Sequence, residues 1–373
     1  MNTRECSLAW AARLRSSAVE ANVRRALWGD GPHLFLLLRL LAKHFSNYRT
    51  FIDIGAADYA GLRPVDLWRD PCSTRDVGPA AFRRLWKSST DSDPVTVHAF
   101  EPTVGTPLDK IHGIHIHRAV VSNHSGELAM YGTGATATTN ARLLVHPRWQ
   151  AARLLRRVNT TTIDALTQRQ SIKHVDVLKI DAEGVEWEVL LGSGRLLAHQ
   201  RISVILFEYS LSWSASTYFS AYPMYCNTRR VRMSCSDAKE LNERYQGSSA
   251  AAMEQPTLHS VTRFLSAKSY NAYLVGSTPP ASGTERQREL QFVPLSVDHW
   301  DDAFELGFKS RSAGMPPPYA WYDVVAVRAD SAEDAQIKSI ACSAASEAGI
   351  KKMIKDRERK AFVPNGRQKK CEV

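Results

Sequence analysis

Acidic residues close several of the apolar runs in this chain. Asp53 and Gly55 end FIDIG, Glu101 and Pro102 end VTVHAFEP, Asp181 and Glu183 lie in VDVLKIDAEG, and Glu208 ends RISVILFE. A carboxylate at the end of a buried strand suits a short list of tasks: accepting from a ligand hydroxyl, holding a cation, or taking a proton. Where such strands run parallel, their carboxyl ends share the edge at which open α/β sheets bind ligands. Asp181 is the candidate general base, or orienter of an acceptor hydroxyl, with Glu183 and Glu208 shaping the same wall. Each also has a structural reading. Asp181 is a good N-cap, and Glu183 with Glu186 suits the positive end of a helix. Lys179, two residues before Asp181 on the same strand, is placed to neutralise a carboxylate.

The first of these turns narrows the ligand. After Gly55 come Ala56, Ala57, Asp58, Tyr59 and Ala60. A dinucleotide pyrophosphate calls for G-x-G-x-x-G, which lets backbone amides approach the phosphates. Here Tyr59 would crowd a pyrophosphate and Asp58 would repel it. S-adenosylmethionine has no phosphate, and it needs an acid on the ribose hydroxyls at the end of the second strand, where Glu101 stands. Asp53 suits the turn amides or the methionine ammonium. Dehydrogenases also keep an acid at the second strand, so this pair alone leaves both ligands open. No G-x-S-x-G elbow and no P-loop is present.

These residues depend on strands to position them. RTFIDIGA, VTVHAFEP, GIHIHRAVVS, VDVLKIDAEG and RISVILFEYS are nearly continuous apolar runs, as parallel strands covered on both faces must be. NAYLVG, LQFVPL and YDVVAVRA follow with shorter spacing, which suits antiparallel strands closing one edge. The expected architecture is a doubly wound α/β sheet, mostly parallel with an antiparallel edge. An N-terminal helical segment (1–49) precedes the main domain (50–330), and a helical, basic tail (331–373) follows it. Two segments read as inserts, 62–94 and 212–258. In the first, Trp68, Phe82, Leu85 and Trp86 suggest a packed helix; the second is Ser-, Tyr- and Arg-rich. GTGATATTN (132–140) reads as a turn and extended loop. A helix is expected to open at about Glu183.

In order, FIDIGA, HAFEP, AVVSNHSGEL, VNTTTIDAL, LKIDAEGVEWEVLLGSGRLL and ILFE resemble the FkbM family of S-adenosylmethionine-dependent methyltransferases. The resemblance runs from Thr50 to Glu208, more loosely through Ala329. It implies a class I methyltransferase (Rossmann-like) fold with S-adenosylmethionine as cofactor; no metal site is read from the residues themselves. The implied reaction is methylation of a hydroxyl on a sugar, glycan or small molecule. Asp53, Gly55, Ala56, Glu101, Pro102 and Ala119 are the expected cofactor contacts, with Asp181, Glu183 and Glu208 expected at the chemistry by their placement. The family commonly continues its first turn with Asn and then Gly, where this chain has Ala57 and Tyr59. A catalytically degenerate module of the same fold, binding a partner without turnover, is the alternative that Tyr59 motivates.

The formal net charge of +10 is uneven, since residues 350–373 hold nine Lys/Arg against three acids. A basic tail reads as a solvated terminus. The chain has no aromatic-basic RNA motif and no NPPY, so nucleic acid is not the expected acceptor. Its six cysteines form no CxxC pair, which points to a reducing, cytoplasmic setting, with a Cys226–Cys235 pair the exception if the chain were secreted. LFLLLRLLA (34–42) is too short for a membrane span, and its leucines fit a helix packed on the domain. The arginines of the first 28 residues suit an amphipathic helix, with a mitochondrial transit peptide as the other reading. His98, His112, His115 and His117 are read as a sheet face under a helix in preference to a metal site. VDHWDD (297–302) reads as a charged turn.

Overall fold

The computed structural model describes residues 6, 9, 32–56, 79–86, 94–102, 114–132, 137–138, 153–182, 185–210, 256–277, 289–298, 300 and 321–345. Its strands are β1 (Thr50–Ile54), β2 (Thr96–Phe100), β3 (His115–His117), β4 (Val120–Val121), β5 (Gly126–Gly132), β6 (Ala137–Thr138), β7 (Arg153–Thr161), β8 (Val175–Ile180), β9 (Ile202–Ser210), β10 (Tyr270–Ser277), β11 (Leu290–Leu295) and β12 (Trp321–Arg328). Its helices are α1 (Pro32–His44), α2 (Pro79–Leu85), α3 (Ile163–Arg169), α4 (Glu186–Leu191), α5 (Gly194–Ala198), α6 (Leu258–Ser266) and α7 (Ala332–Ala345).

Eight strands form the main sheet in the order β11-β10-β12-β9-β8-β1-β2-β3. The pairings β3–β2, β2–β1, β1–β8 and β8–β9 are parallel. β12 runs antiparallel to both β9 and β10, and β11 antiparallel to β10. The expected mixed sheet, parallel with an antiparallel edge, is what forms. From β1 the chain first moves outward to β2 and β3, then returns to place β8 on the other side of β1. The strand order therefore reverses between β1 and β8.

Burial explains why these segments are strands. Phe51, Ile52, Val177, Leu178, Val204, Ile205, Val324 and Val325 are fully buried on adjacent strands, so successive residues of both faces are covered. Helix α1 supplies part of that cover. Leu37, Leu38 and Leu41 are buried, as the leucine spacing predicts. From the first insert, α2 sends Phe82 against Phe51, ring centroids 5.1 Å apart, and Trp86 follows at 4.8 Å from the same ring. Helix α7 packs on β11 and β12 with Ile337 and Ala341 buried. At the amino edge, Asp176 Oδ2 accepts from the amides of Arg49 (2.7 Å) and Thr50 (2.8 Å), which locks β1 against β8.

Two sequence expectations change. GIHIHRAVVS is not one strand: β3 pairs in the main sheet, whereas β4 pairs with β7 in a separate four-stranded sheet of order β4-β7-β5-β6. Arg118 marks the break, turning its guanidinium back to the Glu101 carbonyl at 3.1 Å. That second sheet was not expected, and β6 lies inside the stretch read as a loop. β4 and β6 are two residues long, β7 is rich in Arg, Asn and Thr, and β5 is broken by glycine at both ends, so none carries the apolar run that marks the main sheet. Tyr59, Trp68, Glu183, Cys226, Cys235, most of the 212–258 insert and the tail from 350 lie outside the described residues. Among the described residues, no helix is long and apolar enough to cross a membrane.

Candidate active site

Beyond their last paired rungs, the strand ends are tied to one another by backbone hydrogen bonds. Asp181 N–H donates to the Ile54 carbonyl (2.9 Å), Gly55 and Ala56 N–H both donate to the Phe100 carbonyl (3.1 Å each), and Glu101 N–H donates to the His117 carbonyl (3.1 Å). Asp181, Gly55 and Glu101 thus stand side by side at the carboxyl edge of β8, β1 and β2. The contact is close at Gly55. Its φ is +71°, and a Cβ there would lie 1.6 Å from the Asp181 carbonyl oxygen. Glycine is required by the protein's own backbone.

Strand register assigns the side chains to faces. Ala99, Asp53, Lys179 and Leu206 are neighbours across adjacent strands, so they share one face. Two residues further on, Glu101, Gly55, Asp181 and Glu208 fall on that same face by alternation. Glu208 in turn pairs with Asp323 across the antiparallel β12. A row of acids therefore crosses the carboxyl edge on one side of the sheet, and it spans the point where strand order reverses. Asp53 is fully buried and Glu101 nearly so, whereas Asp181 and Glu208 are half-buried.

Lys179 is the cation within the row. Its Nζ lies 3.2 Å from Asp53 Oδ1 and 3.5 Å from Asp181 Oδ2, with its side chain only 7% exposed. The two carboxylates offset the cost of burying this ammonium. Its inferred role as a neutraliser is the one the geometry gives it.

The remaining expected residues fall close by. Ala56 is buried against Ala99, Ile114 and Ile116. Pro102 is half-buried and its carbonyl accepts from Arg156 Nη2. Ala119 packs on the edge of the core. Helix α4 opens at Glu186, later than expected, with Val185 as its N-cap and no side-chain cap. Asp181 is therefore not the cap of that helix. Glu186, itself buried, accepts instead from the Ala182 amide at 2.9 Å and fastens the turn that follows Asp181.

Two participants were missed. Asp323 sits at the start of β12, and His33 of α1 holds it through a buried hydrogen bond from Nε2. An antiparallel strand brings its beginning, not its end, to the carboxyl edge, and the acid in WYDVV was the available signal.

The histidines face away. His98 and His115 are opposite each other on β2 and β3, as are Phe100 and His117, on the face opposite the acids. His98 stacks on His115 at 4.9 Å and on His117 at 5.3 Å, and its Nδ1 lies 3.0 Å from His117 Nε2. Burial pushes the His98 imidazole down to about 4, with His117 and His115 adding to the effect, and burial likewise lowers His117. Unfolded, His98 would titrate near 6.5, so between about pH 4 and 6.5 the unfolded chain binds more protons. Stability should rise with pH through that window, by up to about 1.4 kcal/mol per pH unit from this imidazole, and be fully present above it. Urea midpoints between pH 4 and 7 will show this slope flattened in His98→Phe.

The row of acids stands at the reversal point of a mixed α/β sheet, the edge at which open sheets of this kind bind ligands. Residues 83–257 match the family model described as the methyltransferase FkbM domain. Over that stretch the chain is similar to FkbM methyltransferase domains. The match spans β2 to β9 and includes Glu101, Asp181, Glu183 and Glu208; β1, with Asp53 and Gly55, precedes it. No curated protein and no solved structure shows significant similarity to the chain.

Proposed function

We propose that this protein is an S-adenosylmethionine-dependent O-methyltransferase of class I, Rossmann-like architecture, acting on a hydroxyl of a sugar, glycan or small molecule. One observation carries the reading. The first-turn amides of Gly55 and Ala56, which a dinucleotide fold aims at pyrophosphate, both donate to the Phe100 carbonyl, and a row of acids stands beside them on the carboxyl edge. Such a site repels phosphate and suits a ligand with positive charge and vicinal hydroxyls. S-adenosylmethionine has both, and when bound it supplies an electrophilic methyl group on a sulfonium.

The chain's own residues supply the rest. Glu101, buried at the end of β2, accepts from the ribose hydroxyls. Asp53, held by Lys179, fixes the floor of the cleft behind the first turn. Asp181 reaches the opening with part of its side chain exposed, so it is placed to orient the acceptor hydroxyl and take its proton. Glu183 and Glu208 continue that wall. Transfer from a sulfonium is an in-line displacement, and most of the acceleration comes from holding the hydroxyl in line.

Calorimetric titration with S-adenosylhomocysteine tests the reading. Micromolar binding is expected, reduced about tenfold or more in Glu101→Ala, the scale set by two lost charge-assisted hydrogen bonds. Asp181→Asn should retain binding and lose methyl transfer to hydroxyl acceptors. No binding by folded wild-type protein would leave the catalytically degenerate module as the better account.

A further inference from the structure

Two thiols meet beside the antiparallel edge. Among the described residues the free cysteines are Cys6, which is fully buried, and Cys342 of α7, which is half-buried. They stand more than three hundred residues apart in the chain, yet the Cys6 thiol hydrogen-bonds to the Cys342 sulfur. Both pack in the main core. Both also lie near Tyr273: burial pushes its hydroxyl up, and Asp334, Cys342 and Cys6 add to the effect. An isolated core thiol fills space as a small hydrophobe. Here two thiols face each other, and one of the two residues keeps part of its surface in solvent.

Register places this pair relative to the acids. Tyr273 pairs with Val325, and Val325 with Leu206, so Tyr273 lies on the sheet face that carries the acid row. Its hydroxyl donates to Asp334 of α7 at 2.6 Å, which sets α7 over that face. His33 of α1 reaches Asp323 on the same face. The amino-terminal part of the chain is thus fastened there at two described points, His33 on Asp323 and Cys6 on Cys342.

We propose that Cys6 and Cys342 form a reversible redox site, in which a disulfide between them locks the amino-terminal segment to α7 over the face of the acid row. The oxidant is a small-molecule disulfide such as oxidised glutathione. Cys342 loses its proton and attacks one sulfur of the oxidant; that S–S bond breaks, and the first glutathione leaves as a thiol. Cys6 then attacks the Cys342 sulfur of the mixed disulfide, gives up its own proton and releases the second glutathione thiol. Two cysteine thiols are oxidised and one disulfide is reduced to two thiols, so atoms and electrons balance. Environment assigns the order. Cys6 has no exposed surface, and burial, with the hydrogen bond to Cys342 adding to it, keeps its thiol protonated. It therefore resolves the mixed disulfide and does not meet the oxidant first. The inference stands apart from the methyl-transfer reading, since its test needs no cofactor.

Peptide mapping of the full chain tests it, after incubation with oxidised glutathione, acid quenching and alkylation of the remaining thiols with N-ethylmaleimide. A peptide linking Cys6 to Cys342 is expected, and dithiothreitol should abolish it. Cys6→Ser should halt the reaction at one glutathione on Cys342, which the same map locates. The oxidised wild type should melt about 5 °C or more above the reduced protein, because the bridge closes a very long loop. Cys342→Ser, at a half-buried position, should show no such difference. The wild-type map needs no variant, so it decides even if Cys6→Ser fails to fold. Absence of the linkage in folded wild type would overturn the proposal. So would preferential bridging of either residue to Cys72, Cys226, Cys235 or Cys371. Linkage without any gain in melting temperature would overturn the lock.

Discussion

Gly55→Ala is expected not to yield a stable fold. Two independent obstacles meet at this position. The φ of +71° is one that an L side chain adopts at a cost of roughly 1–2 kcal/mol. The larger obstacle is the Asp181 carbonyl oxygen, 1.6 Å from where the methyl would stand, with its carbonyl carbon at 2.6 Å. Neither atom is the end of a flexible side chain. Moving it pulls on the Asp181 N–H···O=C Ile54 bond, and moving Gly55 instead pulls on the two amides that converge on Phe100. Relief by either route opens the carboxyl ends of β1, β2 and β8 together. A loss of about 4 kcal/mol or more is expected, a large share of the total stability of an ordinary domain. Urea unfolding followed by circular dichroism measures it, and a variant within about 1 kcal/mol of wild type would mean that the strand ends tolerate separation.

The same contact shows what the sequence could and could not convey. Gly55 was legible as a turn residue, but its reason was not. Sequence logic assigns such a glycine to the approach of a ligand, whereas here the approaching atom belongs to Asp181, more than a hundred residues away in the chain. The central strands were legible because burial on both faces forces continuous Val, Ile and Leu runs, and Phe51, Ile52, Val177 and Val204 obey that rule. The acids at strand ends were legible one by one. Their arrangement into a row came only from register, which sets Asp53 beside Lys179 and Ala99. Asp323 escaped because β12 runs the other way, and His33 because its partner lies 290 residues distant. The second sheet escaped for a different reason. β7 reads RLLRRVNTT, and a bulge at Leu155 breaks the alternation by which a half-exposed strand is recognised.

The pairing that register created can be tested by dismantling it. Lys179→Met is expected to destabilise the protein by about 3–5 kcal/mol, the scale on which a buried charge left without its partner is felt. Asp53 has no exposed surface and Lys179 almost none, so water cannot replace the lost ammonium around that carboxylate. Asp181 is 29% exposed and recovers part of its solvation, and the loss therefore falls mainly on Asp53. Comparison with a second substitution separates charge from packing. Asp53→Asn added to Lys179→Met removes the buried negative charge while nearly keeping its shape, and it should restore about half or more of the lost stability. A merely steric role for Lys179 predicts no such recovery, since the double variant would then be at least as unstable as the single one. Cofactor binding distinguishes a further possibility within the same pair of proteins. If Asp53 acts only as the floor of the cleft, the double variant should bind S-adenosylhomocysteine nearly as well as wild type. If its charge itself meets the ligand ammonium, stability returns in the double variant but affinity does not, and the two properties of Asp53 come apart in one measurement.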